Sequence, residues 1–257
     1  MKNKKASASI IVVVAFILAT IQSFAGNSSD SLKLANDFYA KKQYEKALPI
    51  YLALNKSGYE STTLYYNTGC AYFKTNNFVK AILFFERALV LDPNNDDIKF
   101  NLEVARTNQV DKLDVIPDFF LTNWVKYVAG IFSSNTWALY GVLFFIITLS
   151  FLFLFFFATA VTSKRTYFSL AILILLFSSI SLWFSSIQKE RMTVRTTAIV
   201  ITPSITAKSS PDDAGTDLFL IHEGLKVTVI EKVAGWIKIK LSNGSVGWLK
   251  KSDIEVI

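Results

Sequence analysis

Two uncharged runs constrain this chain more than any other feature. Trp137 to Val161 is 25 residues without a charge, and Tyr167 to Ile187 is another 21. As a helix the first would extend about 37 Å, more than the roughly 30 Å hydrocarbon thickness of a bilayer. Their composition predicts two membrane-spanning helices, 137–161 and 167–187, joined by a turn at 162–166 too short to hold a domain. Neither run contains an ionisable residue, which argues against an ion or proton pathway. A two-helix anchor is the simpler expectation, with Ser178, Ser179, Ser181, Ser185 and Ser186 available for helix–helix packing.

The distribution of charge supplies a direction. Formal net charge is +7, which would fit a nucleic-acid binder if it were gathered on one face. It is not. Residues 26–115 carry eleven basic and eleven acidic side chains, and residues 192–257 carry eight and seven. The excess sits at Lys2, Lys4 and Lys5 and at Lys164 and Arg165, so no nucleic-acid partner is expected. Lys164 and Arg165, in the turn between the runs, should be cytoplasmic by the positive-inside bias. The opening basic cluster, the apolar stretch from about Ile10 to Ala19 and the small residues Ser23 and Ala25 have the plan of a secretory signal over residues 1–25. A cleaved signal and an uncleaved anchor both fit. Either way the segments flanking the hairpin are expected outside the cytoplasm.

Between residues 28 and 95 the chain repeats itself at an offset of 34. Ala35 aligns with Gly69, Phe38 with Tyr72, Tyr44 with Phe78, Ala47 with Ala81 and Tyr51 with Phe85. Each unit reads as two helices around a polar turn. The small residues allow close approach and the aromatics fill the space between turns. Asp92-Pro93 ends the second unit, and a helix from about Asp96 to Gln109 would cover the exposed end of a domain spanning 28–109. The second unit, YYNTGCAYFKTNNFVKAILFFERALVLDP, resembles the tetratricopeptide repeat closely, and the first departs from it where Tyr59 replaces the usual proline. The resemblance implies that the first helices of the pairs line a peptide-binding groove, presenting Asn36, Tyr66, Asn67, Cys70, Lys74, Phe100 and Asn101. An asparagine can bond both N–H and C=O of an extended peptide. Leu32 and Asp97 stand where the cations of a carboxylate clamp would be expected.

Residues 117–135 follow, with Phe120, Trp124, Val128 and Ile131 on one helical stripe. Such a segment can lie in the membrane interface or pack under the repeats. After the second apolar run the pattern changes to short strands: 198–202, 218–222, 226–233, 236–241 and 245–249, with Asn243-Gly244 as a hairpin turn. They predict a small all-β barrel over 193–257. His222-Glu223-Gly224, Gly235-Trp236 and Gly247-Trp248-Leu249 give this region a resemblance to bacterial-type SH3 domains. That resemblance implies an aromatic groove lined by Trp236 and Trp248, for a protein partner or for peptidoglycan peptides.

A single cysteine, Cys70, excludes an internal disulfide, and the single histidine, His222, lies in a different domain across the apolar runs. No catalytic pair, metal site or cofactor is expected, and we read the chain as a non-enzyme. The fold class is therefore a multi-domain membrane protein: helical repeats, a transmembrane hairpin and a small SH3-type barrel. That order of parts, with the stretch FFLTNWVKYVAGIFSSNTWALYG before the first run, resembles the E protein of the bacterial aerotolerance operon, the BatE-type family. The resemblance implies an inner-membrane protein beside von Willebrand factor A-type membrane proteins and a MoxR-type ATPase. It also implies a supporting role in aerotolerance or envelope stress. A scaffold with periplasmic protein-binding modules is the first expectation, and a cell-wall sensor binding peptidoglycan the second.

Overall fold

The computed structural model describes residues 30–113, 119–194 and 196–257. The expected signal at 1–25 lies outside them, as do Pro117 and Asp118 of the amphipathic segment.

The first five helices are α1 (30–40), α2 (Tyr44–Lys56), α3 (Thr62–Lys74), α4 (Phe78–Leu91) and α5 (Asp96–Arg106). The 34-residue offset is visible in the backbone. Lys42 and Asn76, one repeat apart, both take positive φ, 58° and 60°. At the two turns the amide of Gln43 donates to Phe38 O and that of Asn77 to Tyr72 O, each at 2.9 Å. This six-to-one bond ends a helix by a left-handed residue, and asparagine adopts that conformation more readily than lysine. Ser61, Asn77 and Asn95 cap the starts of α3, α4 and α5 by accepting the amides of Leu64, Lys80 and Ile98. The α3–α4 contact depends on size: a β-carbon at Gly69 would lie 2.7 Å from the Phe85 ring. In the first repeat Ala35 and Tyr51 hold the matching places, both fully buried.

Helix α6 (Phe120–Ala129) leads into two long apolar helices, α7 (Ser134–Phe157) and α8 (Val161–Thr193). The break between them is at residues 158–160, earlier than the expected turn at 162–166. Lys164 and Arg165 lie in the first turns of α8, because lysine and arginine are good helix formers and need not interrupt a helix. The two helices run antiparallel. Ser178 Oγ donates to Gly141 O at 2.8 Å, and the hydroxyls of Ser134 and Ser185 each donate to the other's carbonyl, at 3.0 and 2.9 Å. A β-carbon at Gly141 would strike Leu182 at 2.7 Å, so the helices meet closely there. Ser179 and Ser186 instead bond within α8. Both helices are long and apolar enough to cross a membrane, and most of their surface is not covered by the rest of the chain.

The C-terminal region forms seven antiparallel strands: β1 (Thr197–Val200), β2 (Ser204–Lys208), β3 (Asp217–His222), β4 (Lys226–Val233), β5 (Trp236–Lys240), β6 (Val246–Lys250) and β7 (Ile254–Val256). Their order is β3-β2-β6-β5-β4-β1-β7, with β3 and β7 as edges. The expected closed barrel is therefore an open sheet. Its core is Ala198, Val200, Ile221, Val227, Ile237, Ile239 and Leu249 with neighbours. Of the two edges, β7 is covered. Helix α4 lies against it, with Arg87 donating to Val256 O at 2.8 Å and pairing with Glu255 at 3.2 Å.

Candidate functional site

The side chains expected to line the repeat groove fall into two bonded groups. On α1 and α3, Asn36 Oδ1 accepts from Tyr51 Oη at 2.7 Å and from Asn67 Nδ2 at 2.9 Å. On α3 and α5, Asn101 Nδ2 donates to Tyr66 Oη at 3.0 Å and to Asp97 O at 2.8 Å. Asn36 Oδ1 and Asn101 Nδ2 thus each have two partners, while Asn67 and Tyr66 remain half-buried beside the exposed Lys74 and Phe100. Phe100 is 68% exposed, unusual for a phenylalanine next to a formed core. The face built by α1, α3 and α5 is thus polar at its floor and has one large uncovered aromatic.

Cys70 lies between Tyr39 and Tyr66, whose hydroxyls hydrogen-bond its sulfur. Burial pushes the thiol above its ordinary range, and those two bonds and Lys74 offset the rise only in part. Burial, then the neighbouring Cys70, pushes the Tyr66 hydroxyl up to about 12, so it stays a neutral donor. A raised thiol pKa means less thiolate at a given pH. Alkylation of Cys70 by iodoacetamide at pH 8 should therefore run at least about tenfold slower in the folded protein than in urea. Equal rates would show a freely exposed thiol.

In the sheet, Trp236 and Trp248 project from the same face of the β5–β6 hairpin, diagonal to each other. The ammonium of Lys238 lies 5.6 Å over the Trp248 ring and that of Lys250 lies 5.5 Å over Trp236. Trp248 is buried, and Trp236 is half-buried. His222 is a strap rather than part of a groove. Its backbone N–H donates to Asp111 Oδ2 at 2.6 Å, and its Nδ1 lies 2.9 Å from Asp111 Oδ1. Gln109 donates to Gly224 O in the same place, so the linker after α5 is fastened to the sheet.

That attachment is part of a larger junction that the sequence reading did not foresee. Glu86 on α4 is buried, 4% exposed, and its carboxylate receives Arg106 of α5 and Lys226 of β4, each at 2.6 Å. Ile199 of β1 and Ile257 join the same core cluster as Ile82, Phe84, Phe85 and Leu102 of the repeats. The signal was present in FVKAILFFERALVL, where eleven of fourteen residues are apolar and the structure leaves none exposed, whereas α2 buries only Ala47, Tyr51 and Leu54. The sheet supplies partners for the three charges of α4: Glu255 for Lys80 and Arg87, and Lys226 for Glu86.

Paired antiparallel helices at a 34-residue period, ending in a capping helix, define a helical-hairpin repeat protein. The tetratricopeptide repeat family model matches residues 63–95, which hold α3, α4 and the Asp92-Pro93 stop. A match of this kind suggests a protein–protein interaction module. No curated protein matches the chain.

Proposed function

We propose that the chain is a non-enzymatic scaffold of a bacterial inner membrane. In this reading α7 and α8 cross the bilayer as a hairpin, and the repeats and the SH3-like sheet stand together on the periplasmic side. The face of α1, α3 and α5 takes an extended segment of a partner protein. One observation carries the reading: the sheet occupies the α4 side of the repeats and leaves the α1–α3–α5 face open, with Phe100 uncovered. An aromatic anchor beside asparagines suits an extended peptide better than a globular surface. Cys70 is bonded to Tyr39 and Tyr66 and His222 to Asp111, so the single thiol and the single imidazole are not paired with each other, which supports a non-enzymatic reading. The order of the parts supports a place among BatE-type proteins, whose neighbours would make von Willebrand factor A-type membrane proteins the first partners to test.

The test is photo-crosslinking in intact cells. A photoreactive residue at Asn67 should capture a discrete membrane protein, and one at Lys56, exposed on α2, should not. Phe100→Ala should lower the Asn67 adduct at least about fivefold, as expected for loss of a buried aromatic anchor. Equal capture at both positions, or an adduct indifferent to Phe100→Ala, would overturn the groove.

A further inference from the structure

A cleft of about 670 Å³ lies where α4, α6, the end of α8 and β1 converge. It is unlike the peptide face. Four cations, Arg87, Lys126, Arg191 and Lys226, line it against two carboxylates, Glu60 and Glu86. Arg87 is committed to Glu255 and Lys226 to Glu86. Arg191 is different: its Nη1 is shielded from solvent and has no acceptor among the described residues. One turn earlier on α8, the buried Gln188 Oε1 also has no hydrogen-bond partner among the described residues. A guanidinium nitrogen enclosed without an acceptor is costly, and a phosphodiester would supply two or three oxygens.

The height of the cleft selects the source of that anion. Arg191 stands four residues beyond the apolar run that ends at Ile187, about 6 Å along the helix axis. The headgroup layer occupies about 5–7 Å on each side of the hydrocarbon core. The rim is apolar on the same level: Met192 and Val194 are exposed beside it, and α6 presents Phe120, Leu121, Trp124 and Tyr127 uncovered. Helix α6 is also held to the repeats, with Asn94 Nδ2 donating to Tyr127 O at 3.1 Å, so it forms a fixed wall. A soluble phosphate would use the cations and leave the apolar rim in water. A lipid would use both.

We propose that this cleft binds the phosphodiester headgroup of an acidic phospholipid, with Arg191 as its principal contact and Lys126 assisting, and so fixes the repeat–sheet unit against the membrane surface. The inference rests on α7 and α8 crossing the bilayer. The full chain is reconstituted into vesicles of phosphatidylcholine with trace photoactivatable phosphatidylglycerol or trace photoactivatable phosphatidylcholine. Phosphatidylglycerol should label the protein at least about fivefold more, and Arg191→Gln should remove most of that preference, since one cation near an anionic surface contributes a factor of this size. Arg191→Lys should keep most of it and guards against a folding defect. Competition by millimolar glycerol phosphate would show a soluble-phosphate site and overturn the lipid assignment. Reconstitution with equal labelling by both lipids would overturn this inference and leave the membrane hairpin standing. A chain that does not insert into vesicles at all would overturn both.

Discussion

Replacing Arg106 and Lys226 together by alanine should destabilise the folded repeat–sheet unit by about 3–5 kcal/mol, the cost of stranding a buried charge. The reason is an asymmetry within the cluster. Glu86 is 4% exposed, whereas Arg106 and Lys226 keep 31% and 40% of their side chains in solvent. Removing the two cations leaves a buried carboxylate that has lost both of these ion pairs. Removing Glu86 instead leaves two cations that water can reach. Glu86→Gln should therefore cost less, about 1–2 kcal/mol, because the amide still accepts a hydrogen bond. An all-apolar replacement, Glu86→Met with Arg106→Leu and Lys226→Leu, should come close to the parent in stability. Urea unfolding of the full chain in detergent measures all three, in a background where Trp124, Trp137 and Trp183 are phenylalanine so that Trp236 and Trp248 report the sheet, and with far-ultraviolet dichroism following the helices. The two probes should shift together, since Ile199 and Ile257 belong to the repeat core. A double variant within 1 kcal/mol of the parent, or a sheet that melts alone, would show that Glu86 does not join the domains.

Much of this arrangement is legible in the residues, and the parts that are not have definite physical causes. The repeat register needs only small and large residues at a fixed offset, so Ala35, Gly69, Tyr51 and Phe85 reveal it directly, and the polar turns fall at Lys42 and Asn76. Five of the seven strands carry a readable alternation or turn. Strand β4 has the expected bounds, and the Asn243-Gly244 turn joins β5 to β6 with Gly244 at φ 89°. Strand β2 is missed because SITAK has Ile205 as its one large apolar residue, and β7 because IEV has only three residues. Their identity comes from partners far along the chain: β2 pairs with β3 and β6, and β7 with β1. The turn between the apolar helices is misplaced for a different reason. Charges at Lys164 and Arg165 mark where a chain leaves an apolar medium, not where a helix stops. At the candidate groove, spacing brings Asn36 to Asn67 and Tyr66 to Asn101, as repeat geometry requires. Spacing does not show that Asn36 also accepts from Tyr51 of α2, or that Asn101 also donates to Asp97 O within α5. The inter-domain junction lies furthest from local pattern, since Glu86 looks like an ordinary surface acid until β4 is placed beside it.

Phe85→Ala is expected to be the most damaging single substitution in the repeats, at about 3–5 kcal/mol. Phe85 is 1% exposed and its ring rests directly on the backbone of Gly69, with Tyr66 tilted against it at 5.9 Å. Glycine at 69 means that no side chain there can move in to refill the space, so the cavity should persist. The loss should also spread, because each repeat is stabilised mainly by its neighbours and α4 is the helix shared by α3, α5 and the sheet. Tyr51, the matching residue of the first repeat, contacts only one neighbouring pair, and Tyr51→Ala should cost less despite its equal burial. The Gly69–Phe85 contact can be isolated by a double-mutant cycle. Gly69→Ala alone should overpack the interface by about 1–3 kcal/mol, since the new methyl would sit 2.7 Å from an enclosed ring. Combined with Phe85→Leu, which frees the space that methyl needs, it should cost at least about 1 kcal/mol less than the sum of the two single changes. Strict additivity in urea midpoints would mean that the two residues do not set the helix separation. The close approach of α3 and α4 would then rest on the surrounding apolar residues instead.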